Sequence, residues 1–226
     1  MRKVIITGTS RGIGFELAKQ FAHNNFDVLA ISRNEKPLNE LRIENITSIS
    51  VDISDKDDLK RVQNFVSNEW KEVDILIHNA GFLINKPFTE LTKEDFLKVY
   101  EVNLFGVVEL TQLMIPYLKR GSHVVTISSM GGIQGSLKFP GLAAYSSAKG
   151  AVITLSELLA EEYKEQGISF NVLALGAVQT EMLAEAFPDY KAPLQADEMA
   201  DYIYTFSTTA TKFHNGKVVQ VSSTNP

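Results

Sequence analysis

The sequence predicts an α/β protein built on one doubly wound parallel sheet with helices on both faces. Short runs rich in β-branched residues alternate with longer segments of helical period, which is the pattern of repeated β-α-β units. Within the longer segments apolar residues recur three or four positions apart, so each lays one stripe on a sheet. The first strand runs straight into a helix through a glycine-rich turn. With 226 residues, 44% hydrophobic and 22% charged, a single domain over residues 1–226 with a large apolar core is expected.

Taken in order, strands are expected at Val4–Thr7, Val28–Ile31, Ile46–Val51, Ile75–His78, Val124–Ser128, Phe170–Ala174 and Val218–Val221. Ile13, Leu17 and Phe21 mark the buried face of the first helix, and Leu59, Val62 and Val66 that of a helix after the third strand. Ser54 with Asp57, and Thr92 with Asp95, read as capping boxes that use aspartate in place of the longer acid. Glu94 to Leu118 reads as a long helix bent near Gly106 and Pro116, and Tyr145 to Glu165 as another. From Gly176 to Pro193 no period is evident, and such a stretch in a compact domain reads as a functional lid, about 176–196.

The formal net charge is -5 without a block of like charges, so no basic stripe is offered to nucleic acid. Met1 to Thr7 already read as a basic pair and a strand, which leaves no room for a signal peptide. No apolar run approaches the ~18 residues that span a bilayer. A cytoplasmic protein with no membrane or nucleic-acid partner is expected. Cysteine is absent and His23, His78, His123 and His214 are far apart in sequence, so no metal site is expected and catalysis falls to hydroxyls, amines or carboxylates.

Strand one ends in Thr7-Gly8-Thr9-Ser10-Arg11-Gly12-Ile13-Gly14. Glycines there permit a sharp turn and a close backbone approach, and a helix N-terminus offers unpaired N–H groups and partial positive charge to an anion. The pyrophosphate of a dinucleotide suits Gly8, Ser10, Arg11, Gly12, Ile13 and Gly14. At the end of strand two an acid would accept from a ribose 2′-OH and repel a 2′-phosphate. Ser32 and Arg33 stand there instead, and Arg33 with Arg11 would bracket that phosphate. The expected cofactor is NADP(H), favoured over NAD(H). Asp52, ending strand three with Ile53 after it, is placed to accept from the adenine amino group.

Four further segments follow in order: His78-Asn79-Ala80-Gly81 after strand four, Asn103 in a helix, Ser128-Ser129 after strand five, and Tyr145-Ser146-Ser147-Ala148-Lys149. With the glycine turn they resemble the motif series of the short-chain dehydrogenase/reductase family, from Met1 to about Val221. The resemblance implies a Rossmann-like sheet of strand order 3-2-1-4-5-6-7 and a catalytic tetrad of Asn103, Ser129, Tyr145 and Lys149. The implied activity is NADPH-dependent interconversion of a carbonyl and a secondary alcohol, as in carbonyl and 3-oxoacyl reductases. Ser129 is preferred to Ser128 because Met130, Gly131 and Gly132 follow it in the family's pattern. The resemblance further implies Asn79 as a brace for strand four beside the adenosine ribose. Ala80 and Gly81 would let the cofactor lie close, with Gly176, Val178 and Thr180 near the nicotinamide.

Tyr145 and Lys149 are four apart on a helix and share a face. A neighbouring ammonium is expected to lower the phenol from its ordinary pKa of ~10. In reduction Tyr145 would be the general acid, Ser129 a hydrogen-bond donor to the same oxygen, and Asn103 the holder of a water beside Lys149. The chain departs from the family at His78, which replaces an asparagine, and at Leu175, which replaces a proline and is expected to loosen the loop carrying Val178. The Ser129 to Tyr145 interval is long, and the lid and C-terminal tail are short. Phe139, Met182, Leu183, Phe187 and Tyr190 would suit an apolar carbonyl, or equally lid-to-core packing; Lys138 and Lys191 would meet an anionic group, although lone surface lysines usually do nothing specific. Apolar residues in 104–118 and 152–159 lead to the expectation of a homodimer or homotetramer, with burial inside one subunit as the alternative. Two other classes stay open. A catalytically silent NADP(H)-sensing binding protein would more naturally have lost Tyr145, Lys149 or Ser129, and a methyltransferase would carry an acid where Ser32 and Arg33 stand.

Overall fold

The computed structural model describes residues 1–222. Among these the strands are β1 (Arg2–Thr7), β2 (Phe26–Ser32), β3 (Ile46–Ser50), β4 (Val73–His78), β5 (Leu118–Ser129), β6 (Ser169–Leu175), β7 (Val178–Gln179), β8 (Leu194–Gln195) and β9 (Val218–Val221). The helices are α1 (Gly12–His23), α2 (Lys36–Asn39), α3 (Lys56–Phe65), α4 (Lys93–Tyr100), α5 (Gly106–Met114), α6 (Ala143–Glu162), α7 (Glu181–Ala186) and α8 (Ala196–Thr209). Seven strands form one parallel sheet in the order β3-β2-β1-β4-β5-β6-β9. This is the order the family resemblance implied, β9 being its seventh strand. No helix among the described residues is long and apolar enough to cross a membrane.

Because side chains alternate across a pleated strand, each central strand feeds two cores. Val4, Ile6, Val28, Ala30, Ile75 and Ile77 pack with Leu17 and Phe21 of α1 and Ile203 and Phe206 of α8. Ile5, Leu29, Ile31 and Leu76 face the other way, onto Leu59 and Val62 of α3 and Leu110 and Met114 of α5. The chain winds outward from β1 to β3, then returns to the other side of β1 as β4. This reversal opens a crevice at the C-terminal ends of the strands.

Four local expectations are revised. The cap of α3 is Asp55, whose carboxylate accepts from the Asp57 and Asp58 amides, and not Ser54; Ser54 donates instead to Asp52. Thr92 and Asp95 do form the expected capping box. The long helix over 94–118 is three pieces: α4, a π-helical turn at Glu101–Phe105, and α5, ending in a 3-10 turn at Ile115–Tyr117 where Pro116 breaks the ladder. The other long helix begins two residues before Tyr145 and stops at Glu162. The segment expected to be a lid is also structured, with α7 inside it and β7 paired to β8 across it.

Candidate active site

A cleft of about 650 Å³ lies at the C-terminal ends of the strands, and every catalytic and cofactor residue expected from the sequence lines it except Asn103, while Lys138 and Lys191 do not. At its floor the glycine turn is packed onto the β4 loop. Gly8 has φ +75, and a Cβ there would lie 2.7 Å from Ala80 Cα. A Cβ on Gly14 would lie 2.2 Å from the Gly8 carbonyl oxygen. Asn79 Nδ2 donates to the Thr7 and Gly8 carbonyls at 3.0 and 3.1 Å, which is the bracing role expected of it. Thr7, which sequence reasoning passed over, accepts at Oγ1 from the Asn79 and Ala80 amides at 3.0 and 2.9 Å.

The N-cap of α1 is Arg11, whose side chain makes no capping bond. The first-turn N–H groups of Gly12, Ile13 and Gly14 are therefore not side-chain capped, and they face a cleft into which no glycine side chain projects. Ser32 is buried and donates to the Asn34 carbonyl at 2.8 Å. The next acid along the chain, Glu35, is tied to the Ser50 amide of β3 at 2.9 Å. Arg33 is exposed, and among the described residues its guanidinium has neither an ion pair nor a hydrogen bond. Asp52 Oδ1 accepts from the Ser54 amide and hydroxyl at 3.0 and 2.6 Å. These residues fit a dinucleotide: an open helix terminus, a free cation at the end of β2, and glycines where a phosphate must come close.

The other end of the cleft gathers Ser129, Tyr145 and Lys149. Lys149 is 4% exposed, and its Nζ donates to the Ile127 carbonyl at 2.8 Å and stands 5.7 Å from the Tyr145 ring centroid. The Tyr145 hydroxyl lies near enough to Ser129 for the serine to lower its pKa, and Ser129 Oγ accepts from the Gly131 amide at 3.2 Å. Ser128 points the other way and donates to the Lys149 carbonyl at 2.8 Å, tying β5 to α6. The two glycines after Ser129 have a steric reason: a Cβ on Gly132 would lie 2.7 Å from Lys149 C and 2.8 Å from Gly150 N, and one on Gly131 2.8 Å from Ser146 Oγ.

Burial reverses the expected acidity of the phenol. Desolvation pushes Tyr145 up to about 12, and the Ser129 hydrogen bond pulls it only part of the way back. Desolvation likewise pulls Lys149 down to about 8. Lys149, whose Nζ is bonded to the Ile127 carbonyl, is not among the causes of the Tyr145 shift, which burial dominates. His78, beside them, is buried and bonded through Nε2 to Thr111 Oγ1 at 2.8 Å; burial first, then the Lys149 charge, lowers it to about 3.

Asn103 is 1% exposed, on the π turn, and stands behind the cleft wall. Its Nδ2 donates to the Val99 and Phe82 carbonyls, both at 2.7 Å, and its Oδ1 accepts from the Phe82 amide at 3.3 Å. The wider π turn displaces a carbonyl from the regular ladder, and the amide takes it up. Both donors are spent, so only Oδ1 has capacity left toward Gly81, where a Cβ would lie 3.3 Å from it and 3.8 Å from Lys149 Nζ.

Leu175 stands at the end of β6. It extends the strand by one rung, opposite Ser129 and Val221, and the Gly176 amide continues to the Val221 carbonyl at 2.8 Å. Val178 is then held in the short ladder with Leu194. Lys138 is an internal clamp: its Nζ donates to the Gly131 carbonyl at 2.9 Å, to Ser136 Oγ at 2.8 Å and to the Ile133 carbonyl. Phe82, Leu83 and Leu137, which periodicity did not single out, join Phe139, Leu142 and Met182 on the cleft wall.

The short chain dehydrogenase family matches residues 2–191. Oxidoreductase BOA17 of Botryotinia fuckeliana is 31% identical over 199 residues, 84% of this chain and 72% of that protein. A 3-oxoacyl-[acyl-carrier-protein] reductase of Thermotoga maritima is 28% identical over 236 residues, 96% of this chain and 94% of its own. Among solved structures, a 4-hydroxyisoleucine dehydrogenase complexed with NADH superposes with a TM-score of 0.88 at 23% identity, covering 98% of this chain and 97% of that one. A family match over most of the length makes this chain a member of the short-chain dehydrogenase/reductase family of oxidoreductases.

Proposed function

We propose that the protein reduces an uncharged, apolar carbonyl compound to the corresponding secondary alcohol, with NADPH preferred to NADH. The observation that carries this reading is Tyr145 gathered with Ser129, and one helical turn from the buried Lys149, at one end of the cleft. A reduced nicotinamide supplies the hydride. Tyr145, protonated across the neutral range, gives its phenolic proton to the substrate oxygen as charge develops there. Ser129 donates to the same oxygen and fixes its position. The Lys149 ammonium offsets the charge left on the phenolate, and Asn103 holds the Gly81–Phe82 backbone that floors the site.

The preference for NADPH rests on Arg33, free at the end of β2, and on the absence of an acid there. The substrate class rests on the Phe82, Leu83, Phe139, Leu142, Met182 and Phe187 wall, which carries no charge. Leu97, Phe105 and Leu158 are 45%, 41% and 60% exposed on α4, the π turn and α6, apolar surface that a second copy would cover; light scattering is expected to read a dimer or tetramer.

The test titrates NADPH and NADH through their own fluorescence and assays a panel of aldehydes and ketones. Tyr145→Phe is expected to lower kcat by about 10²–10⁴-fold with NADPH affinity changed less than about twofold. Arg33→Ala is expected to weaken NADPH far more than NADH. Full turnover by the phenylalanine variant would remove Tyr145 as the proton donor.

A further inference from the structure

The lid carries two acids to the nucleotide end of the cleft. Glu185 of α7 receives both terminal nitrogens of Arg11, with Nη2 at 3.0 Å from Oε2 and Nη1 on Oε1. Glu181 lies one helical turn earlier on the same face. A Cβ on Gly12 would stand 3.4 Å from Glu181 Oε2, and the Glu181 charge adds to that of Glu185 in holding Arg11 protonated. A forked carboxylate on a guanidinium has the geometry that a phosphate takes. The lid thus brings to Arg11 the kind of charge that a nucleotide phosphate would bring, while Arg33 has no such partner.

We propose that Glu185 is a latch that sets nucleotide selectivity, a reading that rests on the cleft being a dinucleotide site. A ligand bearing a 2′-phosphate takes Arg11 from Glu185 and releases α7. A ligand without that phosphate leaves the pair closed. Glu185 therefore competes with the phosphate, and it moderates a preference for NADPH that Arg33 alone would make steeper. The pair is half exposed on both sides, 49% and 61%, so its effect is modest and screened by salt.

Two measurements on the full chain test the latch. In Glu185→Gln the NADPH dissociation constant is expected to fall by up to about fivefold at low salt, while that of NADH moves less than about twofold. In an Arg11→Ala background the same substitution is expected to change neither. Hydrogen exchange over residues 181–186 is expected to speed up with adenosine 2′,5′-bisphosphate and not with 5′-AMP. NADPH affinity unchanged or weakened in Glu185→Gln, or α7 answering both ligands alike, overturns the latch and leaves the nucleotide site standing. A wild-type chain that binds neither NADPH nor NADH overturns both.

Discussion

In the proposed mechanism burial and function pull against each other at Lys149. The ammonium is useful beside a phenolate, yet its surroundings bring its pKa down to about 8, while Tyr145 keeps its proton to about 12. The pH dependence of the proposed reduction follows. Because kcat/KM reports groups of the free enzyme, it is expected to be level below pH 8 and to fall by about tenfold per unit above it as the ammonium is lost. Lys149→Met is expected to be slow at every pH and to lack that inflection. A wild-type profile level to pH 10 would contradict the assignment. The residue types were legible in the sequence because Tyr145 and Lys149 are one helical turn apart and Ser129 precedes its glycines. The direction of the tyrosine shift was not, because spacing says nothing about desolvation. Arg11 and Glu185 are separated by 174 positions, and a pairing that distant leaves no period to find.

The turn after β5 shows how an element aims a side chain. Ser129 closes the strand, and a 3-10 turn at Met130–Gly132 lies flat on α6 at Lys149 and Gly150. A methyl group on Gly132 meets backbone atoms, which cannot yield as a flexible side chain would. Gly132→Ala is therefore expected to push the turn off the helix and carry Ser129 away from Tyr145. The expected cost is about 1–3 kcal/mol of stability and, for a displacement near 1 Å, about 10²-fold in kcat with little change in KM. Urea unfolding and steady-state kinetics read the two effects, and an unchanged kcat would mean that the turn does not position the serine. The broken helix at 101–105 belongs to the same scale. Apolar period runs through α4 and α5 without a gap, so the sequence signalled one bent helix. The π turn that puts Asn103 over Val99 and Phe82 exists for a hydrogen bond that periodicity does not encode.

For the whole molecule, strand order was legible because strand-like runs alternate with helical ones and the motifs fall in the family's sequence. How the helical layers are tied to the sheet was not. Two buried histidines do part of this. His78, at the end of β4, bonds Thr111 of α5 on one face. His123, in β5, bonds the Ser207 carbonyl of α8 through Nδ1 at 3.0 Å and the Asn171 amide of β6 through Nε2 at 2.9 Å. Nδ1 must donate to a carbonyl and Nε2 must accept from an amide, so the neutral ring satisfies both contacts and a second proton has nowhere to bond. Burial lowers His78 to about 3 and His123 to about 4, with Lys149 adding to the first and His214 and Arg2 to the second. Between pH 6.5 and about 4 the unfolded chain therefore binds more protons than the folded one, and stability present above pH 6.5 is lost on acidification at about 1.4 kcal/mol per unit for each histidine. Over two units the pair accounts for roughly 5 kcal/mol, the low end of the whole stability of a domain. Asp58 and Asp95, held below the ordinary carboxylate range by their hydrogen bonds, act in the same direction at lower pH. Urea midpoints measured from pH 7 to 4.5 are expected to fall steeply in the wild type. In His78→Asn the slope is expected to be shallower by close to one proton, whatever the variant's stability at pH 7. Parallel slopes would mean that His78 is already protonated in the folded protein, and that the tie between β4 and α5 is of another kind.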